Sequence, residues 1–116
     1  MTLTKSLAKA VEIIAHDNGA INRFETLEDR IAAAEKYLYD PANGVSLEGI
    51  EQAGRFLSCL DDDEMNEICI GEYRLPDVIR NGGELNKVEL DLFDRFEKNV
   101  NIVLDAIFDS LSIDGS

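Results

Sequence analysis

The stretch ELNKVELDLFDRFEKNVNIVLDAIFDSLS, Glu84 to Ser112, decides how this chain is read. Its apolar residues Leu85, Val88, Leu92, Phe96, Val100, Val103, Ile107 and Leu111 follow one another in steps of 3, 4, 4, 4, 3, 4 and 4. Seven steps over 26 positions give a period of about 3.7, which belongs to an α-helix and not to a strand. A two-stranded coiled coil would hold nearer to about 3.5. The stripe therefore reads as the spine of a globular bundle. Asn81-Gly82-Gly83 interrupts what precedes it, and Glu84 supplies an acid suited to a helix start. No Pro or Gly follows until Gly115. A helix of this length reaches roughly 40 Å at about 1.5 Å per residue, so shorter helices are expected to pack along it.

Asp91, Asp94, Asp105 and Asp109 fall on the face opposite the stripe, with Lys98 among them. Leu90, Ile102 and Phe108 lie off the stripe, and Leu104 lies at its margin. A helix that is apolar on more than one face is covered from more than one side. Ile102, Leu104 and Phe108 are therefore expected to meet a second copy of the chain.

Upstream, the punctuation marks shorter helices. Thr4 caps a helix from Lys5 to about Asn18, with Leu7, Ala10, Val11 and Ile14 inward and Gly19 closing it. After a linker, Ala20 to Glu25, Thr26 caps a second helix with Ile31, Ala34 and Leu38 inward; Asp40-Pro41 ends it. Tyr37 and Tyr39 near that end read as core-edge packing, and Ala42-Asn43-Gly44 as a turn. Ser46 caps a third helix, whose inner face is Leu47, Ile50, Ala53, Gly54, Leu57 and Leu60. Gly54 on that face lets another helix approach closely. Asp61-Asp62-Asp63-Glu64 opens a fourth helix, where acids complement the helix dipole. Pro76 suits the start of a short helical turn, Asp77 to Arg80. The expectation is an all-α, single-domain bundle of five to six helices over residues 1–116, packed on the long helix at about 84–112.

At 116 residues with 45% apolar content, one domain can bury a core. No apolar run is long enough for a membrane span, and the N-terminus lacks the apolar core of a signal peptide. A cytoplasmic location is expected. Cys59 and Cys69 are too few for a disulfide framework and read as buried thiols. The formal net charge is −13, unevenly spread. Residues 1–58 hold nine acids against six bases, and residues 59–116 hold fifteen against five. Such a surface repels nucleic acid and anionic lipid and attracts cationic proteins.

Dinucleotide-binding, Walker, zinc-protease and serine-hydrolase signatures are missing from the sequence. The lone His16 has no neighbouring nucleophile. Asp61 does not open a calcium loop, because Met65 stands where an oxygen ligand is needed and Asn66 where the turn glycine belongs. No catalytic residue and no cofactor is expected.

Two resemblances add context. Glu48-x-x-Glu51, followed by Glu64-x-x-Glu67, resembles the paired motifs of the all-α nucleotide pyrophosphohydrolases of the MazG and dimeric dUTPase type. That resemblance implies that Glu48, Glu51, Glu64 and Glu67 hold Mg²⁺ for nucleotide hydrolysis. The family closes its second motif with Asp, where this chain has Glu67. The segments Phe56 to Leu60 and Ile68 to Glu72 resemble a stretch of small acidic proteins encoded by phages and prophages. Such proteins act by binding a host or rival machine, and some are nucleic-acid mimics that block restriction or CRISPR complexes.

The leading expectation is a non-enzymatic acidic binding protein that meets a basic protein surface. Asp61, Asp62, Asp63, Glu64, Glu67, Asp91, Asp94, Asp105 and Asp109 would carry the contact. The alternatives are a structural or homodimeric helical protein with solubilising charge, and the Mg²⁺-dependent hydrolase.

Overall fold

Thr26, Ser46, Asp61 and Asn86 each stand immediately before a helix in the computed structural model, which describes residues 3–17, 26–69 and 85–113. The helices are α1 (Lys5–Asp17), α2 (Leu27–Leu38), α3 (Leu47–Leu57), α4 (Asp62–Cys69) and α5 (Lys87–Ile113), with a 3-10 turn at Pro41–Asn43. No strand occurs among the described residues. The fold is all-helical with a long C-terminal helix, as the periodicity predicts. The linker at 20–25, the short turn at 77–80 and the Asn81-Gly82-Gly83 break lie outside the described residues.

Each helix start satisfies backbone donors that would otherwise lack partners. Thr26 Oγ1 accepts from the Asp29 N–H, and Ser46 Oγ from the Gly49 N–H. Asp61 and Glu64 exchange two bonds: the Glu64 N–H donates to Asp61 Oδ1 at 2.8 Å, and the Asp61 N–H to Glu64 Oε1 at 3.0 Å. Asn86 and Glu89 repeat this reciprocal box at the start of α5, at 3.0 and 2.9 Å. Because Asn86 takes the cap, α5 begins at Lys87 and not at Glu84, which lies outside the described residues. An apolar residue before the cap and another five positions on, in Val45/Ile50, Leu60/Met65 and Leu85/Leu90, give three helices the sequence pattern of a hydrophobic staple.

The core gathers Leu7, Val11 and Ile14 of α1, Ala34 and Leu38 of α2, Ile50, Ala53, Phe56 and Leu57 of α3, and Met65 and Ile68 of α4. Phe93, Val100, Val103, Leu104, Ile107 and Leu111 of α5 complete it, with Leu92 and Phe96 partly buried at its edge. Helices α3 and α5 run antiparallel: Gln52 meets Asn99 through a side-chain hydrogen bond, while Phe56 meets Phe93 with ring centroids 5.9 Å apart. At 27 residues, α5 is about 40 Å long by the helical rise, close to the 39 Å longest extent of the molecule.

Two glycines have conformational reasons. At Gly54 a Cβ would meet Thr4 Oγ1 at 3.0 Å, and Ser6 Oγ donates to the Gly54 carbonyl at 2.9 Å, so α1 lies close against α3 there. Gly44 closes the 3-10 turn with φ of +74°, a left-handed conformation that L side chains rarely adopt.

Three inward assignments and one outward assignment need correction. Val88, assigned to the stripe, is 64% exposed; Phe93, off the assigned stripe, is buried in its place. At about 100° per residue, Val88 sits roughly 140° round the helix from Phe93. Leu47 is 57% exposed, because it occupies the first helical position while Val45, before the cap, packs on the core. Cys59 is exposed in the turn that follows α3, whereas Cys69 is buried. Leu104 belongs to the core at 7% exposure, so it offers almost nothing to a second chain. No helix among the described residues is long and apolar enough to cross a membrane.

Candidate functional site

The nine acids read as a partner surface fall into two groups. Those of α4 come from the capping run. Asp61, Asp62, Asp63 and Glu67 are exposed and Glu64 is half-buried. Three of the five have local duties. Asp61 and Glu64 form the box that starts α4, and Asp62 accepts from the Lys9 ammonium of α1. Asp63 and Glu67 complete the group.

The second group lies along α5. Asp91, Asp94, Asp105 and Asp109 are all exposed. At about 100° per residue they occupy an arc of roughly 60°, on the side away from Phe93 and Val100. The same face carries Lys98, Arg95 and the exposed Ile102. Asp91 and Asp94 stand four residues before Arg95 and Lys98, the spacing at which acid–base pairs support a helix. The face is thus acidic at both ends, with bases and one apolar side chain between. Phe108 is half-buried and packs against the core, which leaves Ile102, at 38% exposure, as the open member of the expected self-association set.

The four glutamates of the hydrolase-like reading are separated in use. Glu48 Oε1 accepts from Gln52, Glu51 Oε1 from Arg55, and Glu64 Oε1 from the Asp61 backbone, while Glu67 is exposed. Among the described residues no three His, Cys, Asp or Glu side chains gather as metal ligands would. A groove of about 750 Å³ runs beside α1, where Lys5, Lys9, Glu12 and His16 border an apolar floor that includes Ile13 and Ile31. Its rim carries both signs of charge.

The residue that the sequence pattern concealed is Glu89. An acid in the first turn of a helix reads as a solvated, dipole-stabilised group, yet Glu89 is only 2% exposed. Its Oε1 accepts from the Asn86 N–H, while its buried Oε2 has no hydrogen-bond partner. Glu64 lies beside it. Burial raises the Glu64 carboxyl above its usual range; the Asp61 backbone bond opposes this, and the charges of Glu89 and Asp61 add to it. The Asn86-x-x-Glu89 box was available as a signal, but nothing in it foretells burial.

Neither the protein-family models, the curated proteins nor the solved structures compared with this chain include a match to it.

Proposed function

We propose that this chain is a non-enzymatic acidic binding protein that captures a cationic protein surface in the cytoplasm, as phage-type inhibitors and nucleic-acid mimics do. The observation that supports it best is the outward placement of Asp91, Asp94, Asp105 and Asp109 along one face of α5, with Asp63 and Glu67 exposed on α4. Residues 59–116 have ten more acids than bases, so cationic residues of the chain do not balance them. An anionic surface of this kind accelerates encounter with a basic partner and sets register more than it adds affinity. The test is capture from a lysate of the source cells on the immobilised chain, beside a variant carrying Asp91→Lys, Asp105→Lys and Asp109→Lys. A specific protein that elutes at moderate salt and is lost from the variant supports the reading. Equal capture by both chains at low salt overturns it.

A second reading has one observation in its favour. The antiparallel packing of α3 and α5 places the exposed Leu47 and Ile102 toward the same end of that helix pair. In that reading the chain pairs with a second copy through these two side chains, and its charge serves solubility.

A further inference from the structure

The buried, half-satisfied Glu89 calls for a ligand. Its Oε2 is shut off from water and accepts no hydrogen bond. An ionised carboxylate in that state carries a large desolvation cost unless a donor reaches it. One candidate is Glu64, whose carboxyl feels the Glu89 charge and has Glu89 within side-chain hydrogen-bonding reach. Both residues are fixed by their capping boxes, which use one oxygen of each, Glu64 Oε1 and Glu89 Oε1, on a backbone N–H. That leaves one oxygen on each carboxyl for the other.

We propose that Glu64 and Glu89 share one proton across the junction of α4 and α5, so that the two helix starts are clasped when it is held and repel when it is lost. The proton comes from solvent by way of the half-buried Glu64. Its second oxygen becomes an O–H and donates to Glu89 Oε2, and the pair keeps a single negative charge. Loss of the proton returns it to water and leaves two carboxylates facing each other. Asp61, on the same box, is a third acid acting on Glu64. Of α1, packed on α4, Lys9 is held by Asp62, while Lys5 and Glu12 line the groove on its outer side. Of the helices packed on α5, α3 carries Arg55, held by Glu51, and exposed Glu48, while α2 carries the buried Arg30 and Lys36 at its exposed end.

The direction of the pH effect follows. A carboxyl held above its ordinary range binds its proton more tightly in the folded chain than in the unfolded one. Its contribution to stability is complete below the ordinary glutamate range and disappears as pH rises through the raised value. The first measurement is a carbon-detected NMR titration of the side-chain carboxyls in the full chain. Glu64 is expected to titrate above the ordinary glutamate range. If Glu64 titrates within the ordinary range, or its titration is unchanged by Glu89→Gln, the clasp is refuted.

The second measurement is the urea midpoint from about pH 5 to about pH 8. Glu64→Gln keeps an acceptor for the Asp61 N–H and offers Glu89 Oε2 an amide N–H at every pH. Its folding constant should therefore fall several-fold less over this range than that of the wild type. Glu67→Gln removes the same charge from an exposed position on the same helix and should keep the wild-type slope. Parallel slopes for Glu64→Gln and Glu67→Gln would assign the pH dependence to general charge repulsion and overturn the proposal.

Discussion

Asp61 shows how a single side chain can serve two readings at once, and how to separate them. It is exposed and anionic, as a partner contact should be, yet its Oδ1 also accepts from the Glu64 N–H. Asn caps a helix about as well as Asp, whereas Ala does not. Asp61→Asn should therefore leave the urea midpoint nearly unchanged, while Asp61→Ala should cost about 1 kcal/mol. Any partner contact made through the charge would be weakened equally by both. The two thiols separate in the same way. Burial pushes Cys69 up to about 12, so it holds almost no thiolate near neutral pH, while Cys59 is exposed. Iodoacetamide at about pH 8 should label one site per folded chain, at Cys59, and a second only after unfolding in urea. Mass spectrometry of the labelled peptides checks the assignment, and rapid labelling of Cys69 in the native chain would contradict the packing of α4.

At the scale of the element, α5 shows what can be read from a sequence and where such reading slips. Its C-terminal half is unambiguous: Val100, Val103, Ile107 and Leu111 are buried, as their spacing requires. Its first two turns hold two interleaved helical series. Leu85, Val88, Leu92 and Phe96 form one, and Glu89 and Phe93 the other. Counting apolar residues favours the first, because the second opens with an acid. The fold buries Glu89 and Phe93 and turns Val88 outward, with Leu85, Leu92 and Phe96 partly buried at the core edge, because Phe93 packs against Phe56 and Glu89 is fastened to Asn86. The caps at Thr26 and Ser46 were legible, since each depends on local chemistry alone, and the close approach at Gly54 was legible because a glycine on an inner helix face leaves room for a neighbour. The exposure of Leu47 and Cys59 was not, since it depends on where a helix lies against its neighbours. This phase is testable. Phe93→Ala should cost about 3–5 kcal/mol and Leu104→Ala about 2–5. Val88→Ser and Ile102→Ser, at exposed sites, should stay within about 0.5 kcal/mol. A Val88 change as costly as that at Phe93 would show that the assigned stripe was right after all.

For the molecule as a whole, the sign of a salt effect decides between the two functional readings. Each chain carries a formal charge of −13. Two copies therefore repel, and salt that screens the repulsion favours their association. Capture of a cationic partner depends on attraction, and the same salt weakens it. The Debye length falls from about 30 Å at 0.01 M to about 3 Å at 1 M, so both responses fall within an ordinary titration. Sedimentation of the chain alone and binding to the captured partner should be followed across the same salt series. If the acidic face is the functional surface, the chain sediments as a monomer throughout, and the partner's affinity falls steadily as salt rises. If Leu47 and Ile102 form the working contact, a dimer appears and grows with salt, and Ile102→Ser abolishes it. The first outcome gives the outward aspartates of α5 a role that their spacing from Arg95 and Lys98 does not supply. The second makes the charge a solubilising coat around an apolar contact, and the Asp91→Lys, Asp105→Lys, Asp109→Lys variant would then dimerise more readily than the wild type, because it weakens the repulsion that opposes pairing.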